Sequence, residues 1–236
     1  MRWNMANINL NLTSRIEDVR EPQKHLLPVH FELAEIKKHF DESLAGIHKQ
    51  GKAALNLLES GKKEECQDIL RSQIVFLEGI LDFYLHEISK YALFQMFQGN
   101  WAKSDKYFGI KIPMRQVETA YEDLSTKEWF FSFLNQDMSK QVYLSAESMN
   151  DQLNMIGIPF NAVMEKAFPK GTMNESAHYG RLVVKEMFDR RNKIVHQNDR
   201  DHASAERTEI TTDLVKSYEQ RIIRIVEAIY EIAVEM

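Results

Sequence analysis

The chain has 236 residues, enough to bury a proper core as one large domain or two small ones, and its 9 Gly and 5 Pro beside 11 Met favour helix over sheet. A net charge of -5 excludes indiscriminate coating of nucleic acid, whose affinity comes mostly from neutralising phosphates, so any such contact has to be local. The single Cys66 excludes an internal disulfide and any multi-cysteine metal site, and fits a reducing cytoplasm.

Residues 1–28 are polar, Asn-rich and broken by Pro22 and Pro28, and read as an N-terminal arm that is extended or ordered only by contact. They hold no unbroken apolar core, so neither a secretion signal nor a membrane anchor is expected, and no later run is long enough to span a bilayer. His25 and His30 flank Leu26, Leu27 and Pro28, but two more ligands at a sensible spacing are lacking, so both read as ordinary surface histidines and not as metal ligands.

From Val29 to about Leu58, Leu33, Ile36, Phe40, Leu44 and Ile47 recur at threes and fours, which predicts an amphipathic first helix weakened by Gly46 and Gly51. Ser60-Gly61 marks a break before a longer helix, from roughly Lys62 to Phe97, with Ile74, Leu77, Leu81, Leu85, Ile88 and Ala92 on one face. Glu78 lies on the edge of that face and Asp82 a little further round. Cys66 sits in KKEECQDIL, where Glu64 and Glu65 oppose any lowering of its pKa by the neighbouring lysines, so it is not read as a nucleophile.

Between Gly99 and about Val142 the chain becomes irregular, broken at Gly99-Asn100, Gly109 and Pro113. Trp101, Tyr107 and Phe108 alternate with Lys103, Lys106, Lys111 and Arg115, a composition that suits stacking of unpaired bases, although aromatic residues in such an insertion more often plug it onto the core. Short helices follow near Ser125–Gln136, with Trp129, Phe130, Phe131 and Phe133 as anchors, then near Ser145–Ile156 and Pro159–Phe168. The expected organisation is the arm at 1–28 and a single helical domain at 29–236, with an insertion at about 99–142.

The stretch RLVVKEMFDRRNKIVHQNDR, residues 181–200, reads as one helix with an apolar stripe of Val183, Val184, Met187, Phe188, Ile194 and Val195. Arg191 falls near the middle of that stripe. Because a guanidinium does not escape burial by losing its proton, it needs an anionic partner or a cavity. Glu78 or Asp82 could be that partner if the long helix packs against this one. Five residues on comes His196, of the one side-chain type whose unperturbed pKa lies near neutrality. Arg20 and His25 repeat the spacing in a segment interrupted by Pro22, so the interval alone says little. A polar linker at 197–204 leads to a last helix from about Ala205 to the end. There Tyr218, Ile222, Ile225, Ile229, Ile232 and Met236 form a heptad-like seam that reads as completing the bundle.

The segment LEGILDFYLHEISKYAL at 77–93 and FDRRNKIVH at 188–196 together resemble the RiboL-PSP branch of the HEPN superfamily over about residues 65–200, most recognisably in Leu77-Glu78 and the R-N-x-x-x-H string. The resemblance implies an all-α, HEPN-like bundle with a helical or irregular insertion, and a ribonuclease that works without a metal or other cofactor and leaves a 2′,3′-cyclic phosphate. RNA supplies its own 2′-hydroxyl nucleophile, so cleavage needs a base, an acid and positive charge on the phosphorane-like transition state. His196 can serve as base or acid, Arg191 can hold the phosphate, Asn192 can orient substrate or imidazole, and Arg190 and Lys193 can position phosphate.

At about 100° per residue, side chains five apart on an ideal helix point roughly 140° away from each other. Arg191 and His196 therefore meet one phosphate only if the helix ends or bends between them, or if a second copy contributes. The resemblance implies two HEPN domains set so that both motifs line one cleft, so a homodimer with a composite site is expected, acting on RNA in the cytoplasm as a toxin or defence endonuclease, with a protein inhibitor or antitoxin as a further partner and no membrane. The bland reading is a buried ion pair at Arg191 and a histidine at a helix C-terminus, where the dipole favours a cation. In that case the chain is a non-catalytic helical module that binds a protein or nucleotide partner.

Overall fold

The computed structural model describes residues 29–122 and 127–236. The expected arm at 1–28, with His25, lies outside them. Among the described residues the chain is all-α, with eight α-helices, one short 3-10 helix and no strand.

Helix α1 (Leu33–Glu59) starts where the Glu35 carboxylate accepts a hydrogen bond from the Glu32 amide at 2.9 Å. It buries Ile36, Phe40, Leu44 and Ile47, the predicted face, and passes through Gly46 and Gly51 without a break. Packing of that face outweighs the weak helix preference of two glycines. Gly61, at φ 76°, turns the chain back, and the Gly61 and Lys62 amides donate to the last carbonyls of α1. Helix α2 (Lys63–Gln98) then runs nearly ten turns to Gly99, whose φ of 91° closes it in the left-handed conformation. It is the hub of the bundle and packs against α1, α4, α7 and α8. The side chains of Ile74, Leu77, Leu81, Leu85, Ile88 and Ala92 are all buried, and so is Cys66.

The insertion is more regular than its breakers suggest. After the 3-10 helix Tyr107–Gly109 come α3 (Met114–Glu122) and α4 (Glu128–Met138); the expected start of the latter, Ser125, lies outside the described residues. Phe130, Phe131 and Phe133 are buried, and Phe130 stacks on Phe97 of α2 with ring centroids 4.3 Å apart. Trp101 and Tyr107 pack against the core, and Lys106 pairs with Asp151 at 2.8 Å. Two of the three insertion aromatics thus plug the segment down, while Phe108 stays exposed. His30 is not the surface histidine expected. It stacks on Phe131 at 3.8 Å and hydrogen-bonds to Glu128 at 2.6 Å.

Helices α5 (Ala146–Met155) and α6 (Phe160–Ala167) match their predicted positions within one or two residues. Helix α7 (Met173–Gln197) begins at Thr172, whose hydroxyl accepts from the Glu175 amide, and lies close on Met164 of α6 at Gly180, where a Cβ would collide. The last helix, α8 (Thr212–Val234), starts well after the expected Ala205 because residues 199–211 are held in an irregular loop. Its seam of Tyr218, Ile222, Ile225 and Ile229 is buried within the chain, and only Met236 of the predicted set is exposed.

Candidate functional site

Helix α7 buries Val183, Val184 and Met187, with Phe188 and Ile194 partly covered, whereas Val195 is exposed. The apolar stripe therefore closes one residue earlier than the sequence suggests. The helix continues unbroken through Arg191 and His196 to Gln197, then reverses at Asn198 and Asp199, both at positive φ. Since the helix does not end between them, the two side chains diverge by roughly 140° within one chain.

The two adjacent arginines have different surroundings. Arg190 Nη2 donates to Asp199 Oδ2 at 2.9 Å and to the Glu209 carbonyl at 3.1 Å. Asp199 is fully buried and its same oxygen accepts from Arg71 Nε at 2.9 Å, while Arg71 Nη2 donates to the Thr208 carbonyl at 3.0 Å. Two guanidiniums from α2 and α7 thus share one carboxylate and tie down the loop between α7 and α8. Arg190, expected to position phosphate, engages Asp199 through Nη2 while its Nε is buried without a partner, so it also fastens the loop.

Arg191 makes no ion pair among the described residues. Its Nη1 donates to Asn192 Oδ1 at 3.0 Å, and its Nε is buried without a partner. Glu78, on α2, is close enough to feel the Arg191 charge, yet makes no hydrogen bond through Oε2. Burial raises the Glu78 carboxyl from the usual 4.5 to about 8; Arg191 opposes the shift and Asp82 adds to it. Burial thus favours the protonated acid of Glu78, and no ion pair joins it to Arg191 among the described residues. Asp82, the other candidate partner, serves elsewhere: its carboxylate accepts from the Tyr143 amide at 2.8 Å and lies 3.8 Å from His86.

Lys193 is half-buried, and its carbonyl accepts the Asp199 amide at 3.0 Å. His196 is exposed in the last turn of α7 and makes no hydrogen bond or ion pair among the described residues. Also among the described residues, no group of three or more His, Cys, Asp or Glu is placed to hold a metal ion, and no helix is long and apolar enough to cross a membrane.

A family model described as RiboL-PSP-HEPN matches residues 32–235. The chain belongs to the RiboL-PSP-HEPN family. Comparison with curated proteins and with solved structures finds no match. The HEPN superfamily includes ribonucleases, and in this HEPN chain the R-N-x-x-x-H string lies on the C-terminal half of α7. Sequence reasoning missed Arg71 and Asp199. Arg71 stands three residues before Ile74 on the buried face of α2, a signal of the kind that singled out Arg191. Asp199 gives no such signal, because it lies in a polar run that reads as linker.

Proposed function

We propose that this HEPN chain is an RNA endonuclease, of the toxin or defence kind, whose site is completed by a second copy. The observation that carries the reading is the contrast between the two arginines. Arg190 is ion-paired with the buried Asp199 carboxylate that it shares with Arg71, whereas Arg191 makes no ion pair among the described residues and is steered by Asn192, on the helix whose last turn carries an exposed imidazole. An unneutralised, partly desolvated guanidinium is poised for a phosphate oxygen.

In this reading the 2′-hydroxyl gives up its proton to a base and attacks the adjacent phosphorus. The 5′-oxygen leaves with a proton from an acid, giving a 2′,3′-cyclic phosphate and a 5′-hydroxyl. His196 takes the base or acid role, and Arg191 stabilises the charge that builds on the non-bridging oxygens. Lys193 adds positive charge beside the phosphate path, and a protein inhibitor would act by covering this end of α7. The divergence of Arg191 and His196 on one helix calls for the imidazole of one copy to work with the guanidinium of the other.

The test is RNA cleavage and growth inhibition with His196→Ala and Arg191→Ala. Loss of at least about 100-fold in cleavage is expected for His196→Ala with an unchanged circular dichroism spectrum. If both variants cut like the parent, the reading is wrong. One observation favours a second reading: His196 has no orienting partner among the described residues. In that reading the domain is a non-catalytic module that binds a protein or nucleotide partner; partner binding would then survive His196→Ala, and no RNA would be cleaved.

A further inference from the structure

On α8, Ser217, Gln220, Arg221 and Arg224 recur at spacings of three and four, so they share one face, distinct from the buried seam of Tyr218, Ile222 and Ile225. Across from them stand Lys170, in the turn between α6 and α7, and Tyr179 of α7. These six residues line a cavity of about 360 Å³ to which no Asp or Glu contributes. The Lys170 amide donates to Ser176 Oγ at 2.8 Å, which holds the turn. The Lys170 ammonium lies over the Tyr179 ring, 4.1 Å from its centroid.

Three cations around one cavity repel one another unless a counter-charge is present. Arg224 makes no ion pair and no side-chain hydrogen bond among the described residues, and the Lys170 ammonium has only the ring. Arg221 Nη1 lies 3.0 Å from Glu186 Oε2, yet it is buried without a hydrogen bond, and Glu186 is not part of the lining. The Ser217 hydroxyl and the Gln220 amide likewise have no hydrogen-bond partner among the described residues. In a chain of net charge -5 this is a local concentration of positive charge with neutral donors beside it.

We propose that this cavity binds a terminal phosphate group, that of a free nucleotide or of a phosphorylated RNA end. A phosphate monoester carries a charge of about −1.5 to −2 near neutral pH and three strong acceptor oxygens. That matches three cations and two neutral donors better than a carboxylate, or a phosphodiester within a strand, each with a single charge. Arg221 and Arg224 offer their forks from successive turns of α8, and Lys170 adds a point charge from the opposite wall. The volume lies in the range of about 300 to 1,000 Å³ usual for small-ligand pockets. Tyr179 stands 17 residues before His196, about 25 Å along α7, so the cavity is separate from the R-N-x-x-x-H string. The proposal therefore does not rest on the nuclease reading.

The experiment is isothermal titration calorimetry of the full chain with AMP, with adenosine, and with one short 2′-O-methyl oligoribonucleotide carrying or lacking a 5′-phosphate. The methyl groups remove the nucleophile, so binding is read without cleavage. In at least one of the two pairs the phosphorylated member is expected to bind at least about tenfold more tightly, and the pair that shows the preference identifies the source. Lys170→Ala with Arg224→Ala is expected to remove the preference at an unchanged melting temperature, since both side chains are exposed. Lys170→Arg with Arg224→Lys is expected to keep it. Lys62→Ala with Lys63→Ala removes as much exposed charge outside the lining and is expected to leave it intact. No preference in either pair overturns the proposal, as does a preference that survives loss of Lys170 and Arg224 or is lost equally with Lys62 and Lys63. Should the Lys170 and Arg224 double variant fail to fold, Arg224→Ala alone decides by the same comparison. Cleavage of unmodified RNA by a parent that shows no preference removes the phosphate site and keeps the nuclease. A preference with no cleavage does the reverse.

Discussion

Arg190 and Arg191 are neighbours in sequence, yet among the described residues a carboxylate pairs only with the first. Glu78, a carboxyl that feels the Arg191 charge, is so desolvated that its pKa is raised to about 8. A carboxyl whose folded pKa is raised binds its proton more tightly in the native state. Its contribution to stability is complete below the usual 4.5 and is lost as pH rises through about 8. The wild-type melting temperature is therefore expected to fall across that interval, and Glu78→Gln, which mimics the neutral acid, to flatten the decline. Parallel pH profiles for the two proteins would show that Glu78 is ionised at neutral pH and paired with Arg191 after all. In the nuclease reading the same substitution spares the Arg191 charge, so cleavage near neutral pH should change far less than in Arg191→Ala.

At the scale of elements, Asp199 is the point where α2, α7 and the approach to α8 are tied together. Replacing it with Ala leaves Arg190 without a carboxylate and Arg71 with only Asp68, at 3.4 Å, and a loss of about 3 to 5 kcal/mol in denaturant unfolding is expected. A loss below about 1 kcal/mol would mean that water or other groups take over the pair. The same residue shows why the site was only partly legible in the sequence. Helical periodicity is a local property, so the spans of α1, α2, α5 and α6 and the buried stripe of α7 could be read within a few residues. The ion-paired cluster that engages one of the two adjacent arginines joins Arg71 and Asp199, which are 128 positions apart, and no short window contains both. The start of α8 was misplaced for the same reason. The residues before Thr212 can form a helix by composition, but the Thr208 and Glu209 carbonyls are already taken by Arg71 and Arg190.

At the scale of the whole molecule, α2 takes part in most of the packing: one flank meets α1, another α7 and α8, and its C-terminal half holds down the insertion through α4. If the catalytic pair is split between copies, two inactive chains should rescue each other. A mixture of Arg191→Ala and His196→Ala chains retains one intact pairing per mixed dimer, and random exchange predicts about a quarter of wild-type cleavage. No recovery on mixing, with dimer exchange verified, would place the pair within a single chain. The loop after α7 adds a constraint of a different sort. Its two stems are fastened, since the Thr208 amide donates to the Asp199 carbonyl at 2.8 Å and the Asp199 amide to Lys193, while the tip from Asp201 to Glu206 turns upon itself through the Asp201 carboxylate. The tip can thus be lengthened, shortened or exchanged without loosening the stems that hold the end of α7.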